Sequence, residues 1–93
     1  IIGGALVQKT GSGGAITVTG TGGGGGAGSN NYGVAFSGAT TQILANNGTI
    51  TINGTASGGA SPGVFATGGF LLPPSTANIN AGAGGTVTID STP

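Results

Sequence analysis

Only two side chains in this 93-residue sequence carry a formal charge at neutral pH, those of Lys9 and Asp90. His and Cys are absent, so the residues that most often serve as general base, nucleophile or metal ligand are missing. A single cation also cannot neutralise the phosphates of a nucleic acid, which argues against nucleic-acid binding. The sequence therefore predicts a protein that is not an enzyme and that binds no metal, cofactor or nucleic acid.

Two local patterns look like ligand-binding motifs but lack the residues that such motifs need. The glycine run 22–26 has no acidic residue about 20 positions on, as a dinucleotide-binding loop requires, and Lys9 does not follow a glycine, as in a phosphate-binding P-loop. Residues 84–90 resemble a calcium-binding repeat, yet Asp90 is their only carboxylate and calcium takes roughly six to eight oxygens. We interpret the run as a turn and Asp90 as an outward residue at a strand end.

Small and polar residues dominate the composition, with 24 Gly and 14 Thr, whereas large apolar residues are few. Such a glycine content favours disorder, but disordered chains usually carry a high net charge and this chain is neutral. We expect it to fold through its backbone hydrogen bonds or to aggregate. No run of about 18 apolar residues is present, so we expect no membrane insertion. The start at Ile1 has no Met and no signal-peptide pattern, which indicates a processed end or an internal cut.

The chain repeats a block of alternating β-branched residues three times, at spacings of 34 and 37 residues. The three blocks are 15–21 (AITVTGT), 49–55 (TITINGT) and 86–92 (TVTIDST). The first two blocks are each followed by a Gly-Val block, 33–38 and 63–68, and then by an apolar segment, 41–45 and 76–80. The apolar segment 5–9 resembles the tail of a preceding unit. We predict a single β-solenoid segment, 1–93, with repeat units at about 15–48 and 49–85 and partial units at 1–14 and 86–93.

Each block predicts a short β-strand, because its apolar residues alternate at period two and glycines bound it. Three short strands per repeat favour one rung of a parallel β-helix, since the first strand recurs only after three strands. The expected inward ladders are Ile16–Ile50–Val87, Val18–Ile52–Ile89, Val34–Val64, Phe36–Ala66, and Ile43 or Leu44 with Ile79. The expected outward ladders of the first strands are Ala15–Thr49–Thr86, Thr17–Thr51–Thr88, Thr19–Asn53–Asp90 and Thr21–Thr55–Thr92.

The order of I-T-V-T-G-T at 16–21, a glycine-rich loop and G-V-A-F-S-G at 33–38 resembles a known family of repeats. It is similar to the β-helical repeats of filamentous-haemagglutinin-type and autotransporter-type bacterial surface adhesins, over roughly residues 5–92. The resemblance implies an all-β, right-handed parallel β-helix, here about two and a half rungs of three strands. It also implies a secreted or cell-surface location and a role as a stalk or adhesive fibre, with a possible host or cell-surface ligand. Such chains are usually far longer, so this one is either a piece of one or a small subunit that stacks.

Residues 70–74 (FLLPP) interrupt the repeat and predict a loop or a sheet edge, because proline cannot donate to a strand ladder. Their apolar side chains either cover the core locally or form an exposed patch that docks on a neighbour. Phe65 has the outward parity of its strand, and Tyr32 is expected on the same surface. The candidate residues for subunit or partner contacts are Tyr32, Phe65, Phe70, Leu71 and Leu72.

The outward ladder Thr17–Thr51–Thr88 is the second candidate site. Ranks of outward Thr order water in ice-binding β-helices, so the alternative function is a module that binds ice or glycan on this face. Outward Thr is also common on any solvated strand, and Asn53 and Asp90 interrupt the next rank. Asn47 and Asn53 each begin an N-glycosylation sequon, but we favour a turn at Asn47-Gly48.

A β-helix of two and a half rungs is only ~12 Å tall, and its two ends expose unpaired backbone groups. Neither end of the sequence carries a recognisable cap, and neutral edges favour pairing with a further strand. We therefore expect continuation into more rungs of a longer chain or end-to-end stacking of copies into a filament. The predicted partner is the protein itself.

Overall fold

A computed structural model describes residues 1–22, 32–57, 62–70 and 78–92 of the chain. These residues contain eight β-strands and no helix, which confirms the all-β prediction. The strands are β1 (Leu6–Ser12), β2 (Ala15–Thr21), β3 (Val34–Ser37), β4 (Gln42–Asn46), β5 (Thr49–Thr55), β6 (Val64–Thr67), β7 (Ile79–Asn80) and β8 (Thr86–Thr92).

Each strand pairs in parallel with the strand three places along the chain. The pairing produces three sheets, β1–β4–β7, β2–β5–β8 and β3–β6. We call β1–β3 the first rung, β4–β6 the second rung, and β7 with β8 the third rung. The predicted recurrence of each strand type after three strands is therefore confirmed.

The β2–β5–β8 sheet stays in register over all seven residues of each strand. Ala15, Thr49 and Thr86 are paired at one end of the sheet, and the pairing continues without a bulge to the other end. This register confirms the alignment of the three sequence blocks and every ladder expected for them. Because side chains alternate across a strand, one face of this sheet is apolar and the other is rich in threonine.

The apolar faces of the three sheets meet in one core. The expected pairs Val34–Val64 and Phe36–Ala66 are present in the β3–β6 sheet. In the β1–β4–β7 sheet Ile43, and not Leu44, is the residue that pairs with Ile79. The neighbouring Leu44 points to the opposite face and is half-buried there.

Phe70 belongs to this core, which is the first of the two alternatives expected for the apolar side chains of residues 70–74. Its side chain is only 5% exposed, and its ring stacks on that of Phe36 with centroids 4.6 Å apart and an interplanar angle of 6°. The register partner of Phe36 is the small residue Ala66, which does not fill the core at the level of the second rung. Phe70 supplies the missing ring there, at about the spacing between neighbouring strands.

Glycines let the backbone turn the corner between the second and third sheets. A Cβ atom on Gly20 would overlap the carbonyl oxygen of Gly33, and one on Gly54 would overlap that of Gly63. The same register position is Ser91 in the third rung. The first two rungs therefore require glycine at this corner for close backbone contact.

The corner between β4 and β5 is a turn at Asn47-Gly48, as the dipeptide predicts. Asn47 has a φ of 54°, in the left-handed region that asparagine tolerates better than most residues. Its side-chain oxygen accepts the N–H of Gly84 in the next rung at 3.0 Å. Asn47 thus connects the corners of two successive rungs.

Replacement of Gly54 by alanine is expected to destabilise the fold severely. Its Cβ would overlap backbone atoms that cannot move without breaking a rung, so the loss should reach or exceed the ~1–3 kcal/mol typical of overpacking. Gly84→Ala is the matched control, because its Cβ would meet nothing closer than 3.6 Å and its φ is not left-handed. Urea unfolding followed by circular dichroism measures both, and equal stabilities would contradict the corner contact.

Candidate functional site

The inward ladders of the β2–β5–β8 sheet are buried to different degrees in the three rungs. Ile50 and Ile52 of the second rung are fully buried, whereas their partners in the first and third rungs are only half-buried. Those partners are Ile16, Val18, Val87 and Ile89. The difference arises because strands cover the second rung on both sides and each outer rung on one. We call the uncovered side of the first rung the leading face, and the uncovered side of β6, β7 and β8 the trailing face.

Ile1 covers part of the leading face. Its amino group donates to the carbonyl of Ala35 at 2.7 Å, and its carbonyl accepts the N–H of Ser37 at 3.0 Å. This pair of bonds is the pattern of a parallel ladder and places Ile1 beside Phe36, on the side of β3 away from β6. The Ile1 side chain packs against the core, so this residue acts as a short extra strand.

Ser91 covers part of the trailing face. Its hydroxyl accepts the N–H of Val64 at 2.9 Å. One rung earlier the equivalent N–H, that of Val34, donates to the carbonyl of Gly63 at 3.0 Å. The Ser91 hydroxyl thus occupies the place of a carbonyl from a further strand.

These two contacts correct the expectation that neither end of the stack is capped. Both ends are closed locally over the β3–β6 sheet, one by Ile1 and the other by Ser91. The remaining edges stay open, because no strand among the described residues pairs with the outer side of β1, β2, β7 or β8. The sequence contains a signal for Ser91, since the aligned residues in the other two blocks are glycines.

The outer face of the β3–β6 sheet carries an aromatic pair. The rings of Tyr32 and Phe65 stack with centroids 4.3 Å apart and an interplanar angle of 1°, and both residues are half-buried. The register partner of Phe65 is Ala35, whose small side chain leaves room for the ring of Tyr32. The two residues do share one surface, while Leu71 and Leu72 lie outside the described residues. A role of these side chains in subunit or partner contacts stays a prediction.

The outer face of the β2–β5–β8 sheet is a regular array of threonines. It has twelve outward positions, and Thr occupies nine of them. These are Thr17, Thr19, Thr21, Thr49, Thr51, Thr55, Thr86, Thr88 and Thr92. Strand geometry spaces them at about 4.8 Å across the sheet and about 6.7 Å along each strand. The other three positions are Ala15, Asn53 and Asp90, so the array carries one charge, at an edge.

The two charged side chains lie in different sheets, Lys9 on β1 and Asp90 on β8. Within residues 1–22, 32–57, 62–70 and 78–92, no cluster of three potential metal-ligating side chains is found. The same residues form no helix that is long and apolar enough to cross a membrane. The features that remain are therefore the two end faces, the aromatic pair and the threonine array.

Comparison with known proteins adds no relative. No family model, curated protein or solved structure matches the chain. The geometry of these four surfaces is therefore the basis for a functional assignment.

The difference in burial between rungs predicts different costs for two equivalent substitutions. Ile50→Ala should lower the free energy of unfolding by about 2–5 kcal/mol, the range for a fully buried Ile. Ile16→Ala removes the same atoms from the neighbouring position of the same ladder, but from a half-exposed site, and should cost about half as much. Denaturant unfolding of dilute protein measures both losses. Equal losses would show that the leading face is covered.

Proposed function

We propose that the chain is part of a right-handed parallel β-helix with a structural or adhesive role in an extracellular fibre. In this proposal the chain has no catalytic activity. It works by stacking on further rungs or on copies of itself. The observation that carries the proposal is the half-exposed apolar ladder at each end of the stack.

The sheet order supports a β-helix. Strands of the first rung lie in three different sheets, and each next strand of a sheet belongs to the next rung. A chain that passes through three sheets in turn and returns to the first one rung later follows a helical path. The right-handed sense is proposed because nearly all crossover connections between parallel strands are right-handed.

Stacking would complete the burial of side chains that are now half-buried. A further rung on the trailing face would cover Val87 and Ile89 as the third rung covers Ile50 and Ile52. Completing the burial of each such side chain contributes on the order of 1 kcal/mol. The open backbone groups of β8 would gain partners at the same time, as edge strands do when they pair.

The outer surface supports an adhesive role. It presents hydroxyl groups, short side chains and the Tyr32–Phe65 pair, with charge only at Lys9 and Asp90. Such a surface can bind a host or cell-surface ligand through hydrogen bonds and ring contacts. The scarcity of charge and the absence of Cys also favour a secreted or cell-surface location.

The expected behaviour of the natural sequence is the formation of filaments above a threshold concentration. Val87→Lys should raise this threshold by about two orders of magnitude or more, because stacking would bury an ammonium group without a partner. Electron microscopy and sedimentation over a concentration series measure the threshold.

Thr88→Lys is the matched control for this experiment. It adds the same charge to the next residue of the same strand, but on the outward face, and should leave the threshold nearly unchanged. Circular dichroism of both variants at low concentration verifies that each is folded. A natural sequence that stays monomeric at every concentration would overturn the fibre proposal.

A second candidate function is a binding module for ice or glycan, and the register of the threonine array favours it. Nine threonines in unbroken register offer hydroxyl and methyl groups at two fixed spacings. A repeating surface of this kind suits a repeating ligand, such as the water lattice of ice or a polysaccharide chain. If the chain is such a module, it should stay monodisperse at the concentrations at which the fibre proposal expects filaments.

If the array binds ice, the dilute protein should show thermal hysteresis, and Thr51→Lys should abolish it. Thr51 lies in the central strand of the array, so a lysine there disrupts ranks on both sides. Thr40→Lys is the control, because Thr40 is exposed outside the array. Nanolitre osmometry makes the measurement, and the lack of a freezing gap at millimolar concentration would eliminate ice binding.

A further inference from the structure

We infer that two copies of this chain join head to tail and that residues Ile1 and Ile2 of one copy fill the open place beside β6 of the other. This inference rests on the proposed stacking function and adds the residues and the direction of the junction. The occupant of the trailing face is a second copy, bound through its leading face.

In the part of the chain that the structure describes, the β3–β6 sheet has an unoccupied strand position beside β6 at the trailing end and an extra residue, Ile1, beside β3 at the leading end. Among the described residues the third rung contains β7 and β8, with no strand beside β6 on the side away from β3. At the leading end Ile1 lies beside β3 on the side away from β6. When the first rung of one copy follows the third rung of another, Ile1 reaches the empty place.

The backbone groups at the two positions are complementary. Ile1 directs its own N–H and carbonyl toward β3, so the alternation of a parallel ladder directs the Ile2 N–H to the opposite side. On β6 the same alternation directs the carbonyl of Ala66 away from β3. In the junction the Ile2 N–H of the second copy donates to this Ala66 carbonyl. Ile1 then lies opposite Ala66 as it lies opposite Phe36 in its own copy.

Ser91 reduces the part of β6 that a second copy has to cover. Its hydroxyl already accepts the N–H of Val64, and the Thr67 carbonyl accepts the N–H of Gly38 on the β3 side. The groups of β6 that still point away from β3 are the Val64 carbonyl and the N–H and carbonyl of Ala66. Gly68 and Gly69 follow with φ values of 63° and 87° and end the strand. Ile2 therefore reaches the Ala66 carbonyl, which is the last acceptor of β6 on this side before the turn.

Ser91 also favours a second copy over the following residues of the same chain as the occupant. The first two rungs enter the β3–β6 sheet through a corner that has no room for a Cβ atom at Gly20 or Gly54. Ser91 has a Cβ atom at this register position. A strand coming from β8 by the same corner would overlap it, whereas Ile1 of a second copy arrives from the leading side.

In the same junction the β2–β5–β8 sheets of the two copies join in the register seen within one copy. Placing β2 of the second copy beside β8 extends the ladders seen within one copy, so Val87 and Ile89 cover Ile16 and Val18. The threonine ranks continue across the junction in the same way. The apolar, backbone and threonine contacts therefore all require the same alignment of the two copies.

Disulfide cross-linking between single-cysteine variants tests the junction, since the natural sequence has no Cys. Ile2 and Thr67 are both exposed and face outward, and the proposed register places them opposite each other in the junction. Within one copy they are two rungs apart, about 9–10 Å, which is too far for a disulfide. Mixed Ile2→Cys and Thr67→Cys proteins should form the heterodimer about tenfold or more above either homodimer on mild oxidation.

Thr51→Cys replaces Thr67→Cys in the control mixture, because Thr51 is an outward residue of the second rung and lies at neither end. It should give no heterodimer above the level of random collision. Filaments without the Ile2–Thr67 cross-link would overturn the junction and leave the fibre proposal intact. The cross-link in dimers that never lengthen would support the junction and overturn the fibre. Neither filaments nor cross-link would overturn both.

Discussion

The structure depends on one constraint, which is that every strand of a parallel sheet has two edges of backbone donors and acceptors. This chain has one residue of each charge and a narrow apolar core, so backbone ladders are its main source of order. In the β2–β5–β8 sheet, β5 is the strand that has partners on both sides among the described residues, and its inward isoleucines are fully buried whereas those of β2 and β8 are half-buried. The exposure of the outer rungs, the cap by Ser91 and the extra ladder position of Ile1 all follow from the same requirement.

The β3–β6 sheet shows how a narrow repeat accommodates large side chains. In the inward ladder Phe36 of the first rung pairs with Ala66 of the second. In the outward ladder Ala35 of the first rung pairs with Phe65 of the second. In each case a ring from outside the strand, that of Phe70 or Tyr32, fills the level left by the alanine. The stacked rings therefore lie at about the distance between neighbouring strands, although the repeats do not carry aromatic residues at equivalent positions.

The sequence was sufficient to predict what depends on its period. The spacing of the three Thr-rich blocks determined the register of β2, β5 and β8, and the alternation within each block determined which side chains face inward. It was not sufficient for Ile1, Ser91 and Phe70, because their roles depend on packing between parts of the chain that the repeat does not relate. Ser91 was detectable as a departure from glycine at an aligned position. The burial of Phe70 had no such signal, since a loop residue can point to either side of a sheet.

The asymmetry of the two ends has a consequence for assembly. In the proposed head-to-tail contact two different faces would meet, so each added copy would expose a new trailing face and the assembly would lengthen unless it closed into a ring. A contact between two like faces would stop at a dimer. Because β2 would continue the β2–β5–β8 sheet of the preceding copy, the rank of Thr17, Thr51 and Thr88 would lengthen with every added copy. In such a fibre the threonine face would form one continuous surface along the assembly, with the same spacing at every copy.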